Sequence, residues 1–129
     1  MIERARQKNF YDKLEALDLT EALDRHLRAD ARFNLILSAD VFVYCADLTL
    51  NTSLVAQLLA NDGLFAFTVE THPGGGVVLG PKLRYAHGEA HVRQALEAAS
   101  LTTHVLKAVS TRNEADIPVP GLLVVAGRA

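Results

Sequence analysis

The segment FNLILSADVFVYC, residues 33–45, restricts the fold more than any other stretch of the chain. From Phe33 to Leu37 it shows no polar alternation, the pattern of a strand covered on both faces, as in a parallel sheet. It then stops at Ser38-Ala39-Asp40 and turns apolar again at Val41. A strand that ends on a carboxylate, with two aromatics and a thiol close behind, matches an open α/β sheet. Such sheets bind their ligands beyond the carboxyl ends of the strands.

The flanking segments keep a strand and helix alternation. MIERARQKN reads as a short amphipathic helix, and KLEALDL (13–19) as a short strand ending at Asp18. Thr20 is placed to cap a helix whose stripe is Leu19, Leu23 and Leu27. From Asp47 a second helix carries Leu50, Leu54, Val55, Leu58 and Leu59 and is expected to stop at Asn61-Asp62-Gly63. LFAFTVE (64–70) is the next strand. GEAHVRQALEAAS (88–100) is a helix with Val92, Ala95, Leu96 and Ala99 inward. THVLKAVST (103–111) and GLLVVAGR (121–128) are two last strands joined by the polar RNEADIPVP. This order argues for an α/β sheet with an antiparallel element at its end.

Composition narrows the function classes. Half of the 129 residues are hydrophobic, 22% are charged and the net charge is −2, which suits one domain over residues 1–129 with one core. No basic stripe points to nucleic acid, and no apolar run approaches a membrane span. The N-terminus lacks the apolar centre of a secretion signal, so the expected location is the cytoplasm. Cys45 is the single cysteine, which excludes a disulfide framework. Its neighbours in sequence offer no basic group to favour a thiolate, so it reads as a small buried hydrophobe.

Four pieces of the chain together resemble the latter part of a class I S-adenosylmethionine-dependent methyltransferase. More narrowly, they resemble the bacterial methyltransferases often fused to tetratricopeptide repeats. The pieces are MIERARQKNFYDKLEALDLTEAL, FNLILSADVFVYCADL, NDGLFAFTVETH, and LRYAHGEAHVRQALEAASL with the closing VPGLLVVAGR. The resemblance implies an incomplete Rossmann-like sheet that lacks the family's first two strands and keeps its antiparallel final strand. Residues 13–18 would be the third strand, Phe33–Ala39 the fourth, Leu64–Glu70 the fifth, and the last two the sixth and seventh. The family's glycine-rich cofactor loop, which follows the first strand, has no counterpart, since the first glycine is Gly63. The chain is therefore expected to be truncated at its N-terminus, and weak or inactive by itself.

By the same resemblance, the carboxylate of Asp18 would accept the adenine amino group of S-adenosylmethionine and Leu19 would cover the ring. Ser38, Ala39 and Asp40 would border the sulfonium and the methyl acceptor, with Asp40 orienting the acceptor or taking its proton. The plain alternative for both aspartates is a helix or turn cap. Tyr44, His72, Tyr85, His87 and Glu89 are the candidates for contact with a small-molecule acceptor. His72, His87 and His91 fit no tight metal motif, and no metal is expected. HPGGGVVLG leads into an extended segment rather than a helix, so it reads as a flap or hairpin over the acceptor, not a phosphate cradle.

In the family's order the absent strands lie between the third and fourth. Their loss would leave the backbones of Leu14–Leu17 and Ile36–Ser38 as open edges, so a homo-oligomer, simplest as a homodimer, is expected. The competing arrangement closes the third strand on the fourth within one monomer. A non-catalytic oligomerising remnant of the fold is the alternative function. A small hydrolase is a third option, but no Gly-x-Ser-x-Gly elbow supports it.

Overall fold

The computed structural model describes Arg4, Gln7 and residues 18–128. Arg4 and Gln7 are helical, and the rest of the helix expected at 1–9 lies outside the described residues, as do 13–17 of the expected third strand.

Helix α1 (Leu19–Arg28) forms where the leucine stripe placed it. Leu19 and Leu23 pack against the core, while Glu21 in the first turn and Arg25, His26 and Arg28 in the last suit the helix dipole. The side-chain caps expected of Thr20 and Asp18 do not form. Asp18 occupies the N-cap position without a side-chain bond. The Thr20 hydroxyl instead donates to Asn51 Oδ1 at 2.8 Å. A partner on the next helix outcompetes the local one.

Strand β1 (Phe33–Ser38) pairs in parallel with β2 (Leu59–Glu70). The expectation of two covered faces fails here: Leu35 is 54% exposed and Leu37 69%. The reason lies in its position. Among the described residues β2 is the only strand that pairs with β1, so β1 is the margin of the sheet and only Ile36 packs on the core.

A 3-10 turn over Phe42–Tyr44 follows, then α2 (Thr49–Leu58). Helix α2 stops at Leu58, earlier than expected, and Asn61-Asp62-Gly63 falls inside β2. There the pairing jumps from Phe33↔Leu59 to Leu35↔Leu64. Asp62 takes φ 62°, and a Cβ on Gly63 would lie 2.8 Å from the Ala60 carbonyl oxygen. The turn residues thus serve a bulge in a strand instead of a helix end.

The glycine-rich segment forms the expected hairpin, β3 (Val77–Leu79) antiparallel to β4 (Tyr85–His87). Helix α3 (Glu89–Ala98) buries Val92, Ala95 and Leu96. Strands β5 (Leu101–Glu114) and β6 (Ile117–Arg128) then make a long hairpin. The polar connection expected between them is itself strand, closed by Ala115 and Asp116 alone, both at positive φ as a type I′ turn requires. Pro118 and Pro120 concealed it. They stand where β6 has outrun β2, whose pairing ends at Glu70↔Gly121, so their missing N–H groups cost no bond to β2.

The sheet order is β3-β4-β2-β6-β5, and β1 pairs with β2 off this path, over residues 59–67, ahead of the single β4 pairing at Glu70. Strand β6 is antiparallel to both β2 and β5 and lies between them, as the sequence reading expected of its last strand. Among the described residues, Leu48 and Val55, from the start and body of α2, and Val92 and Leu96 of α3 meet one sheet face. Phe65, Phe67 and Val69 of β2 and Leu122, Val124 and Ala126 of β6 form that face. Phe42 drops from the 3-10 turn to contact Phe65 and Phe67 edge-on, at ring separations of 6.0 and 5.4 Å. Fully burying each such side chain is worth roughly 1.5–3 kcal/mol. This layer sets the carboxyl ends of β1 and β2 side by side.

Candidate functional site

At the end of β1 the chain reverses through Asp40, which takes φ 56°. Aspartate tolerates this left-handed conformation better than most residues, which suits it to the sharp turn that closes the strand. Two contacts hold it. The Asp40 amide donates to Thr68 Oγ1 at 3.1 Å, and the Asp40 carboxylate accepts from Arg84 Nη2. Next to it Ser38 Oγ is buried with no hydrogen-bond partner, and Ala39 is exposed.

Behind Asp40, Phe42 and Val43 enter the core and Tyr44 stays 66% exposed. The Tyr44 hydroxyl lies 3.3 Å from Arg84 Nη1, with the guanidinium 5.6 Å from the ring centroid. Cys45 is half-buried. Burial first, then the charge of Asp18, push its thiol up against a smaller downward pull from Asn51, so it stays protonated near neutrality. The two aromatics and the thiol thus divide between core and rim.

Arg84 joins two strand ends. Its Nε donates to Glu70 Oε2 at 2.6 Å, and Glu70, the last residue of β2, is only 6% exposed. Arg112 of β5 reaches the same oxygen from the other side at 3.1 Å. Arg112 also pairs with Glu114 at 3.3 Å, and Lys82 pairs with Glu114 at 2.7 Å. Six charges therefore alternate in sign along the rim: Asp40, Arg84, Glu70, Arg112, Glu114 and Lys82. Burial alone would raise the Glu70 carboxyl, but the hydrogen bonds from Arg112 and Arg84 outweigh it and hold it below the usual carboxylate range.

The structure separates the other candidates. His72 and Glu89 line one cleft of about 470 Å³ with Thr71, the Pro73-Gly74-Gly75 turn, Pro120 and Leu122. The His72 ring is fixed by its own loop, since Nδ1 accepts from the Gly74 amide at 3.0 Å and Nε2 lies 2.6 Å from the Gly76 oxygen. Gly75 and Gly76 turn their carbonyls toward the amides of His91 and Gly88 at the start of α3. Those oxygens would repel an anion there.

His87 is fully buried. Its Nε2 bonds the carbonyls of Cys45 and Ala46 at 2.7 and 3.1 Å, leaving Nδ1 without a partner. Burial is the main cause of its lowered pKa, with the nearby His91 and His72 adding to it against the two carbonyls. His91, whose ring stacks on that of His87 at 5.6 Å, accepts from the Leu48 amide at 3.3 Å. No group of three or more histidine, cysteine or acidic side chains able to hold a metal occurs among the described residues. Tyr85 is half-buried in β4, paired in register with Leu79. Asp18 is exposed at the start of α1, and Leu19 is half-buried against the core.

Five residues of the rim escaped the sequence reading: Glu70, Lys82, Arg84, Arg112 and Glu114. Glu70 carried the same signal as Asp40, a carboxylate closing an apolar strand. The arginines carried none, because they reach Glu70 across 14 and 42 residues of chain.

No protein-family model matches the sequence, and no curated protein sequence does either. Solved structures do match. One is a magnesium protoporphyrin IX methyltransferase from Synechocystis PCC 6803 with bound SAM, at TM-score 0.68 and 18% identity, covering 100% of this chain and 55% of that one. The chain has a methyltransferase fold. A second match is the 1,6-didemethyltoxoflavin-N1-methyltransferase of Burkholderia thailandensis, at TM-score 0.72 and 20% identity, covering 98% of this chain and 56% of that one. A third is an S-adenosylmethionine-dependent methyltransferase of Clostridium acetobutylicum, at TM-score 0.68 and 14% identity, covering 98% and 69%. The chain thus spans between about half and two thirds of the length of these methyltransferases. Identities this low establish the shared fold and leave the site to be argued from its own residues. Among the described residues no helix is long and apolar enough to cross a membrane.

Proposed function

We propose that this chain is the acceptor side of an S-adenosylmethionine-dependent methyltransferase of the tetratricopeptide-associated bacterial type, acting on a small molecule. One observation supports this above the rest: the ion-paired Asp40 at the carboxyl end of β1, in a fold shared with structures that hold SAM. Open α/β sheets place their ligands there.

The residues present fit one side of the cofactor. Asp18 offers an exposed carboxylate for an amino group, with Leu19 beside it for the ring, and Ser38, whose buried hydroxyl lacks a partner, precedes the exposed Ala39 and Asp40 at the strand end. Nothing among the described residues forms a glycine-rich loop that connects a strand to a helix N-terminus. The chain by itself therefore holds the cofactor weakly and is weakly active or inactive. When bound, S-adenosylmethionine supplies an electrophilic methyl on sulfur. The task left to the protein is to hold an acceptor in line with it.

Arg84, fixed from below by Glu70, holds the Asp40 carboxylate at the rim, where it can orient an acceptor amine or hydroxyl and take its proton. Tyr44 stands on the same arginine. The cleft lined by His72 and Glu89 has the volume for a small acceptor, with the Gly74-Gly75 turn as its flap. His87 supports the cleft wall from β4, its carbonyl accepting from Thr71 Oγ1 at 2.7 Å.

Calorimetric titration with S-adenosylhomocysteine tests the reading. Measurable binding weaker than roughly 1 μM is expected, reduced further in Asp40→Asn and Asp18→Asn. No heat at millimolar ligand would overturn it. A second reading, an oligomerising remnant, is favoured by the exposed Leu35 and Leu37 on the margin of β1. The two readings are compatible if association brings a second copy's strand to that edge.

A further inference from the structure

A second, smaller cavity of about 160 Å³ has Arg84, but not Asp40, in its wall. Thr71, which also lines the larger cleft, is one of its walls. Its charged lining is Lys82, Arg84 and Arg112 against Glu70 and Glu114. Three cations against two carboxylates leave this enclosure one positive charge in excess. Asp40, which balances that charge, is not among the residues that line it.

The two kinds of wall also differ in freedom. Glu70 and Arg84 are fixed, with side chains 8% and 15% exposed. Lys82 and Glu114 form the mouth, 67% and 35% exposed, and such pairs exchange easily with water or another ion. Once Glu114 swings away, the Arg112 guanidinium it leaves and the movable lysine at the entrance suit a planar anion of the kind arginine recognises, with Arg84 held behind them by Glu70.

We infer that this cavity is a recognition site for a single carboxylate. Together with the apolar cleft across Thr71, it selects acceptors in which a compact apolar or aromatic body carries one acid group. The acid displaces Glu114 from Lys82 and Arg112, both of which it meets at the mouth. The size agrees, since the cavity exceeds several times the roughly 30 Å³ share of one water. Glu114 carries one negative charge, so its departure vacates partners for one, which a phosphate dianion would exceed. That the acid belongs to a methyl acceptor rests on the function proposed above; the carboxylate site itself does not.

The test is a titration of the purified chain with benzoate, followed by amide NMR shifts around β4 and β5. Benzyl alcohol and inorganic phosphate serve as the uncharged and dianionic probes. Benzoate is expected to shift Lys82, Arg84 and Arg112 saturably, with benzyl alcohol silent there and phosphate weaker. Lys82→Gln should weaken benzoate by about three-fold or more, the worth of one exposed charge contact, and Glu114→Gln should strengthen it by a similar factor by removing its internal competitor. Both substitutions are at the surface and leave Glu70 and Arg84 in place, so the fold is not at stake.

Equal response to benzyl alcohol, tighter phosphate binding, or a Glu114→Gln variant that binds benzoate less well would each overturn the inference. A parallel titration with S-adenosylhomocysteine separates the two proposals. Failure of that ligand alone removes the methyltransferase reading and leaves the carboxylate site standing. Failure of benzoate alone does the reverse.

Discussion

Glu70 and His87 are two buried residues that make the molecule sensitive to acid, Glu70 through its arginines and His87 through its burial, and their signs agree. Glu70 is held below its ordinary value of 4.5 by two arginines, so it contributes stability that is complete above that value. That contribution is lost as pH falls through the lowered folded value. His87 is held below its ordinary 6.5 mainly by burial, so the unfolded chain takes up a proton before the folded one does. Stability therefore begins to fall once pH drops below about 6.5 and keeps falling to the lowered folded value. Urea unfolding between pH 8 and 5 should show this slope, and the His87→Gln variant, which cannot take the proton, should lack it. Glu70→Gln at neutral pH should cost about 2 kcal/mol, below the 3–5 kcal/mol typical of a broken buried pair because both arginines reach partly into solvent. An unfolding midpoint equal to the parent's would show that the two arginines do not need the charge.

Single elements carry two further tests. A Cβ on Gly88 would lie 2.0 Å from the Gly74 carbonyl oxygen, where the glycine turn is tied to the start of α3. Backbone cannot yield as a side-chain tip does, so Gly88→Ala should destabilise by at least about 2 kcal/mol and loosen the cleft around His72. Thermal unfolding measures the first effect. The β5–β6 turn should respond in the other direction. Ala115 pays about 1–2 kcal/mol for its left-handed backbone, whereas glycine gives back about 0.5–1 kcal/mol in unfolded-state entropy. Ala115→Gly should therefore stabilise by about 0.5 kcal/mol, seen as a higher urea midpoint with an unchanged slope.

At the scale of the molecule, the open question of β1 becomes one of assembly. Phe33, Leu35 and Leu37 form an apolar margin with His26, Leu23 and Leu58 around a shallow hollow. Uncovered edges of this kind attract another strand. Sedimentation velocity on the purified chain should show a concentration-dependent dimer, and Leu37→Lys, at a side chain already 69% exposed, should shift it to monomer without loss of helicity. A clean monomer at high concentration would assign that edge no role in self-association.

The sequence by itself determined the order of elements from α1 onward, the inward face of α3, the hairpin that follows the glycine run, and the carboxylate at the end of β1. Each of these is a local pattern, a period of two or of 3.6 residues or a turn signal, and local patterns survive in any tertiary context. The tertiary structure decided which strand lacks a second neighbour among the described residues. Leu35 and Leu37 read as buried because an apolar strand reports its preference, not its partners. It also decided that Thr20 would bond Asn51 across helices, that Pro118 and Pro120 could continue a strand, and that Glu70 would gather two arginines. Those outcomes depend on side chains meeting across the fold, and a buried charge draws its partner by energy of contact, which leaves no trace in spacing along the chain.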